Sequence, residues 1–190
     1  MTTSLTIFDI DDTLFHTTSS VYVMRGERIV QKLNAAEFNV YKLKTGEHLD
    51  FREFRSAAHF AATARPITNM FTTAKKMMKH LPGPDARFII ITARVDMDDK
   101  QLFVDTFRKY GFDIDRSHIY RAGNIAKPGA IAKKQIIHRE LKKHKYDIVR
   151  MFDDARKNLD SFITLSSEFA EVKFEAFLIH EDGRITRYGG

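Results

Sequence analysis

The chain has 190 residues, with 31 lysines and arginines against 25 aspartates and glutamates, which gives a formal net charge of +6. Hydrophobic residues make up 43% of it and include 16 phenylalanines, so a disordered or collagen-like chain is excluded. The absence of cysteine excludes disulfides and thiolate chemistry, and we expect a cytoplasmic protein without a targeting or membrane-spanning segment. The positive charge suits phosphorylated or nucleic-acid partners, although many basic proteins bind neither.

Short apolar runs, most of them separated by helical stretches, predict an α/β fold with a mainly parallel central sheet flanked by helices. The predicted strands are Leu5–Phe8, Phe88–Ile91, His118–Tyr120, Ile148–Phe152 and Val172–Ile179. The predicted helices are Ile67–His80, Asp98–Tyr110, Gly129–His144 and Arg156–Ser166.

The interval from Phe15 to Pro66 is too long for a simple strand-to-helix connection. Alternating apolar residues on either side of Gly26 predict a β-hairpin flap there, and Asn34 is expected to cap a short helix that runs to Leu43. We therefore expect one domain over residues 1–190 with a small insertion at residues 16–66. Near the C-terminus, a turn at Gly183 predicts a closing hairpin.

Carboxylates follow two of the predicted strands. Asp9, Asp11 and Asp12 come after the first strand, whereas Asp153 and Asp154 follow the strand at Ile148–Phe152. A single aspartate after a strand is most often a turn or cap residue, but the carboxyl ends of parallel strands meet at one edge of a sheet. Two carboxylates 4 Å apart repel by about 4 kcal/mol at an effective dielectric constant near 20, so such a cluster requires a cation. An oxygen-only ligand set favours Mg²⁺.

Three further side chains are suited to binding phosphate. Thr92 and Arg94 follow the strand at Phe88–Ile91 and offer a hydroxyl and a guanidinium, although a threonine there is often only a helix cap. Lys134 interrupts the apolar face predicted for its helix, which comprises Ala130, Ile131, Ile137, His138 and Leu141. The alternatives are that Lys134 extends to solvent and that Lys127 or Lys133 takes its place. Asn158 could orient the acidic pair or be an ordinary surface residue.

Together these residues resemble the motifs of the haloacid dehalogenase-like (HAD) phosphohydrolases. The motif DxDxT matches Asp9, Asp11 and Thr13, and the threonine or serine of the second motif matches Thr92. The lysine of the third motif matches Lys134, and the acidic pair of the fourth matches Asp153 and Asp154. The resemblance implies a Rossmann-like HAD fold.

The resemblance also implies a mechanism. Asp9 would attack phosphorus and form an aspartyl phosphate, while Asp11 would protonate the leaving group and then activate water. Mg²⁺ would be bound by Asp9, Asp11 (through its backbone carbonyl) and Asp153, with support from Asp154. Thr92 and Lys134 would bind phosphoryl oxygens.

Two details resemble the phosphatase domain of phage polynucleotide kinase/phosphatases, and the chain also resembles stand-alone HAD proteins of phages. Arg94 follows Thr92 by two residues, and Lys134 precedes Asp153 by 19. The resemblance implies that Arg94 binds a substrate phosphate. The expected function is a phosphomonoesterase for nucleic-acid ends, which for a phage protein would act in the host cytoplasm.

The alternatives are a small-molecule or nucleotide phosphatase and a HAD-like module that binds nucleic acid or protein without turnover. Two lysine runs, Lys75–Lys79 and Lys142–Lys145, could guide a polyanion but are more often only solvated helix faces. The oligomeric state stays open.

Overall fold

The computed structural model describes residues 2–189, apart from the side chains of residues 35, 36 and 39. The strands, in chain order, are β1 (Ser4–Phe8), β2 (Phe15–His16), β3 (Val21–Arg25), β4 (Arg28–Leu33), β5 (Glu47–Asp50), β6 (Arg65–Pro66), β7 (Arg87–Thr92), β8 (His118–Arg121), β9 (Ile148–Asp153), β10 (Lys173–Ile179) and β11 (Ile185–Tyr188). The α-helices are α1 (Ala35–Val40), α2 (Arg52–Arg55), α3 (Ala57–Thr63), α4 (Thr68–Lys79), α5 (Lys100–Lys109), α6 (Gly129–Lys143) and α7 (Arg156–Ile163). Short 3-10 helices lie at Ile114–Arg116, Ala122–Asn124 and Thr164–Ser167.

Six strands form the central sheet, in the order β11-β10-β9-β1-β7-β8. All neighbouring pairs are parallel except β10 and β11, which form the predicted closing hairpin. The predicted α/β architecture is therefore confirmed. Because β1 lies between β7 and β9, the ends of three strands that carry polar side chains lie side by side.

Apolar side chains cover both faces of this sheet. On one face Phe8 stacks against Phe88 and Phe152, with ring centroids 5.2 and 4.4 Å apart, beneath α3, α4 and α5. On the other face Leu5 and Ile7 pack against α6 and α7. Burial on both faces explains why β1 and β7 consist of nearly continuous apolar residues.

The insertion (residues 16–66) forms a sheet of its own, in the order β4-β3-β5. The predicted hairpin is present as β3 and β4, and the side chain of Asn34 accepts a hydrogen bond from Glu37 N at the start of α1. That helix ends at Val40 rather than at Leu43. The elements β5, α2 and α3 were not predicted. These segments are short, and the sequence of β5 (Glu-His-Leu-Asp) has no apolar pattern.

The two ends of the insertion lie together at the central domain. Phe15 pairs with Pro66 where β2 and β6 meet, and its fully buried ring contacts Phe60, Phe71 and Phe107. The start of the insertion is thereby fixed just after the aspartates that follow β1. Within residues 2–189, no helix is both long enough and apolar enough to cross a membrane.

Candidate active site

The carboxylates that follow β1 and β9 meet at the carboxyl edge of the central sheet. Phe8 and Phe152 are register partners, and Asp9 N donates a hydrogen bond to Phe152 O over 3.1 Å. One carboxylate oxygen from each of Asp9, Asp153 and Asp154 lies within 4.8 Å of the other two. We call these three residues the acidic cluster. Asp9 and Asp153 are buried, so water cannot screen their charges effectively.

Lys133, not Lys134, is the lysine that reaches the acidic cluster. Lys133 Nζ lies 2.7 Å from Asp153 Oδ2 and 3.0 Å from Asp9 Oδ2, and the side chain is 1% exposed. Lys134 instead lines a groove on the outer surface of α6, beside Ile131 and His138. The prediction of Lys134 was therefore wrong, and its spacing from Asp153 no longer supports a likeness to polynucleotide phosphatases.

The buried face of α6 differs from the predicted one because it contains two polar residues. Its buried residues are Ala132, Lys133, Ile136, Ile137, Glu140 and Leu141. Ile131, which suggested a different apolar stripe, is 41% exposed. Glu140 is satisfied by Arg87 and by the hydroxyl of Tyr120, so this buried carboxylate has partners, just as Lys133 does.

Hydrogen bonds hold Asp153, the last residue of β9, and Asp154, which follows it. Asp153 Oδ1 accepts hydrogen bonds from Ala155 N (2.9 Å) and from the side-chain amide of Asn158 (2.8 Å). Asn158 therefore orients Asp153 and is not an ordinary surface residue. Asp154 N and the buried Thr13 hydroxyl are 3.1 Å apart, which ties β9 to the loop after β1.

Burial raises the pKa of two members of the acidic cluster, Asp9 and Asp154. The pKa of Asp9 lies well above its usual value because burial disfavours its charge, and Lys133 only partly offsets this effect. Burial, together with the negative charge of Asp153, raises the pKa of Asp154 to about 7. Lys133 has a raised pKa despite its burial, since it faces Asp153 and Asp9. One ammonium thus pairs with two of the three carboxylates.

Asp11 lies outside the acidic cluster, in an ion pair with Arg94. Arg94 Nε is 2.9 Å from Asp11 Oδ2 and Nη2 is 2.6 Å from Oδ1, while the Thr17 hydroxyl donates to Oδ1 over 2.6 Å. Burial alone would raise the pKa of Asp11, but Arg94 and Thr17 lower it below its usual value. Arg94 holds the Asp11 carboxylate outside the acidic cluster, whereas the expected contact of Mg²⁺ with the Asp11 backbone carbonyl stays a prediction.

Arg94 itself is enclosed and does not face a substrate. Its guanidinium lies between the rings of Phe54 and Phe60, at 5.1 and 4.9 Å from their centroids, and Nη2 also donates to Ser19 Oγ. The side chain is 0% exposed. The predicted role of Arg94 in binding substrate phosphate is therefore contradicted in this arrangement, where Arg94 instead positions Asp11.

Thr92 ends β7 beside this ion pair and is completely buried. Its hydroxyl oxygen accepts a hydrogen bond from Arg94 N over 3.1 Å. A hydroxyl has one hydrogen to donate in addition, so Thr92 can still donate to an anion at this edge.

Asp9 has one carboxylate oxygen that is suited to binding a cation. Its Oδ1 is buried and lacks a hydrogen-bond partner among residues 2–189, whereas Oδ2 faces Lys133. A buried carboxylate oxygen without a partner is unfavourable, and a hard divalent cation would satisfy it. The residues present therefore fit a metal bound through the acidic cluster.

The insertion covers the site from the side of β7. Asp98, in the loop after β7, accepts a hydrogen bond from Ala57 N (2.7 Å) at the start of α3, and its own N–H donates to Arg55 O (2.9 Å). With Phe54 on Arg94, these contacts hold α2 and α3 of the insertion against the loop that carries the arginine. The insertion is thus positioned to restrict water around Asp11.

The chain's fold is similar to that of a solved structure, the HAD domain of the effector protein Lem4 from Legionella pneumophila. The TM-score is 0.54 with 11% sequence identity, and the match covers 93% of this chain and 86% of that one. The protein has a HAD-like Rossmann fold. No family model matches the chain, and neither does any curated protein. Because the identity is so low, the similarity extends to the fold alone.

Replacing each of the two adjacent lysines tests the assignment of Lys133. We expect Lys133→Met to lower the free energy of unfolding in chelator at pH 8 by about 3–5 kcal/mol, because it leaves buried carboxylates without their cation. Lys134→Met, the matched control, should change it by less than about 0.5 kcal/mol. Urea unfolding measures both values. Similar losses in the two variants, or a larger loss for Lys134→Met, would contradict the assignment.

The raised pKa of Asp154 predicts how stability depends on pH in the metal-free protein. Between the ordinary pKa of 3.8 and about 7, the native state holds a proton on Asp154 that the unfolded state has released. Stability must therefore fall as pH rises through this window, and Asp9 acts in the same direction. Melting temperatures from pH 5 to 8 in chelator measure the fall, which Asp154→Asn should reduce and Mg²⁺ should flatten. A wild-type slope that persists unchanged in Asp154→Asn would refute this origin.

Proposed function

We propose that the protein is a Mg²⁺-dependent phosphomonoesterase that forms an aspartyl phosphate on Asp9 and acts on phosphorylated nucleic-acid ends. The observation that carries the proposal is the acidic cluster with Lys133 at the carboxyl edge of the sheet. That edge is where ligands bind in open α/β folds. The HAD-like fold agrees with this activity, although the fold by itself does not determine function.

Asp9 is the proposed nucleophile. Mg²⁺ bound by Asp9, Asp153 and Asp154 would neutralise the acidic cluster and stabilise the charge of the phosphoryl group. Lys133 holds Asp9 through Oδ2, and Oδ1 has no hydrogen-bond partner among residues 2–189. The hydroxyl of Thr92 and the ammonium of Lys133 would donate hydrogen bonds to phosphoryl oxygens. Transfer of the phosphoryl group to Asp9 and its later hydrolysis divide one difficult reaction into two easier ones.

Asp11 is the proposed acid and base. Its pair with Arg94 favours the carboxylate, which suits removal of a proton from the water that hydrolyses the aspartyl phosphate. In the first step Asp11 must instead carry a proton for the leaving oxygen, and the charge of Arg94 opposes that state. We therefore propose that Arg94 sets the balance between the two roles of Asp11.

A panel of substrates with one variant tests this function. The wild type should hydrolyse p-nitrophenyl phosphate, a mononucleotide and a phosphorylated single-stranded oligonucleotide in Mg²⁺, with the highest kcat/KM for the oligonucleotide at low salt. Asp9→Asn should lose all three activities, because an amide is not a nucleophile toward phosphorus. Phosphate release measures the rates, and melting temperatures check that the variant folds.

The other possible outcomes would favour a different function or contradict the mechanism. Equal kcat/KM for oligonucleotide and mononucleotide would favour a small-molecule phosphatase. Full activity of Asp9→Asn, or full activity of the wild type in excess chelator, would contradict the mechanism. Binding of the oligonucleotide without hydrolysis of any substrate would favour a binding module.

A further inference from the structure

Arg121, the last residue of β8, is a further cation at the carboxyl edge of the sheet. Arg94 and Lys133 each face carboxylates, whereas no hydrogen bond or ion pair joins Arg121 to another described side chain. Its Nη1 is buried without a hydrogen-bond partner in the part of the chain that the structure describes, and the residue as a whole is half-buried. A guanidinium has five donors, and leaving them unpaired next to apolar groups is unfavourable.

The neighbouring residues hold Arg121 in place. Its guanidinium lies over the buried ring of Phe103, with the central carbon 4.3 Å from the ring centroid. Gly123, two residues later, lies so close to the backbone that a Cβ there would be 2.3 Å from Ala93 O. The segment directly after β8 is therefore packed against the loop after β7, which carries Arg94. The orientation of Arg121 is thus fixed in advance of any ligand.

Its position in the sheet relates Arg121 to the acidic cluster. Arg121 is the register partner of Thr92, and β8 lies beside β7, which lies beside β1. Two strand spacings of about 4.8 Å separate β8 from β1, so Arg121 lies beyond the phosphate site at Asp9 rather than within it. Burial lowers the pKa of Arg121 to about 10, so the group is still a cation at neutral pH.

The lysine runs noted in the sequence do not lie at this edge. Lys75–Lys79 is at the end of α4, which leads into the start of β7, and Lys142–Lys145 spans the end of α6, which leads into the start of β9. Both runs are therefore directed toward the amino edge of the parallel strands, opposite the acidic cluster. They offer no path for a polyanion to Asp9, whereas Arg121 lies at the carboxyl edge itself.

We propose that Arg121 binds a backbone phosphate of a nucleic-acid strand whose terminal phosphate lies at Asp9. This inference rests on the proposed function and transfers to Arg121 the phosphate contact that Arg94 is too enclosed to make. A phosphate oxygen accepts charge-assisted hydrogen bonds from guanidinium N–H groups, and the Phe103 ring covers the other side of the arginine. A mononucleotide or p-nitrophenyl phosphate has no second backbone phosphate to offer.

The test compares Arg121→Gln, Arg121→Lys and the control Arg116→Gln on the three substrates named above. Arg116 is exposed and precedes β8, so the control removes the same charge at the opposite end of the same strand. Arg121→Gln should lower kcat/KM for the oligonucleotide by about 10- to 100-fold and leave the other two substrates unchanged. It should also reduce the salt dependence of oligonucleotide binding by about 0.7 in the logarithmic slope. Arg121→Lys, which keeps the charge, should recover part of the loss.

Three results would overturn the proposal: an equal loss on all three substrates, no loss on the oligonucleotide, and the same loss in Arg116→Gln. Unchanged turnover of p-nitrophenyl phosphate shows that a variant is folded. If the wild type hydrolyses none of the substrates, the proposed function fails, and oligonucleotide affinity measured by fluorescence anisotropy decides the role of Arg121. Weaker binding by Arg121→Gln than by Arg116→Gln then supports a phosphate site, and equal binding overturns it.

Discussion

Repulsion between buried carboxylates governs the carboxyl edge of the central sheet. Asp9, Asp153 and Asp154 lie within 4.8 Å of one another, where each pair of full charges repels by about 4 kcal/mol at an effective dielectric constant near 20. Lys133 is the one cation bonded to Asp9 and Asp153 among the described residues, and it offsets only part of this repulsion. Asn158 and Ala155 N stabilise Asp153, but Asp9 Oδ1 has no such support. The arrangement favours an additional cation, which is the property expected of a phosphoryl-transfer site.

A second buried ion pair separates Asp11 from this cluster. Arg94 binds Asp11 through two nitrogen atoms and is enclosed by Phe54 from α2 and Phe60 from α3, both in the insertion. The same carboxylate type therefore has opposite properties two residues apart, since the pKa of Asp9 is raised and that of Asp11 is lowered. This division makes Asp9 depend on a cation to stay charged, whereas Arg94 keeps Asp11 charged. The insertion contributes to it because Phe54 packs on Arg94.

Sequence patterns were sufficient for the sheet and for the aspartates, because apolar runs that end in carboxylates report both the strand and its polar end. They failed where a polar side chain is buried with a distant partner. Lys133 and Glu140 break the apolar periodicity of α6, and Ile131 is exposed, so the hydropathy of that helix indicates the wrong face. The partners that make these burials possible, such as Asp9 and Arg87, are far away in the chain. The pair of Asp11 and Arg94 was missed for the same reason, since 83 residues separate its members.

Crystals grown with Mn²⁺ in place of Mg²⁺ test whether the acidic cluster binds one divalent cation. Anomalous diffraction locates Mn²⁺ independently of any assumption about the site. We expect one strong peak within about 2.2 Å of Asp9 Oδ1 and of a carboxylate oxygen of Asp153 or Asp154. Crystals that contain Mn²⁺ elsewhere, with no peak at the cluster and a protein donor hydrogen-bonded to Asp9 Oδ1, would contradict this expectation.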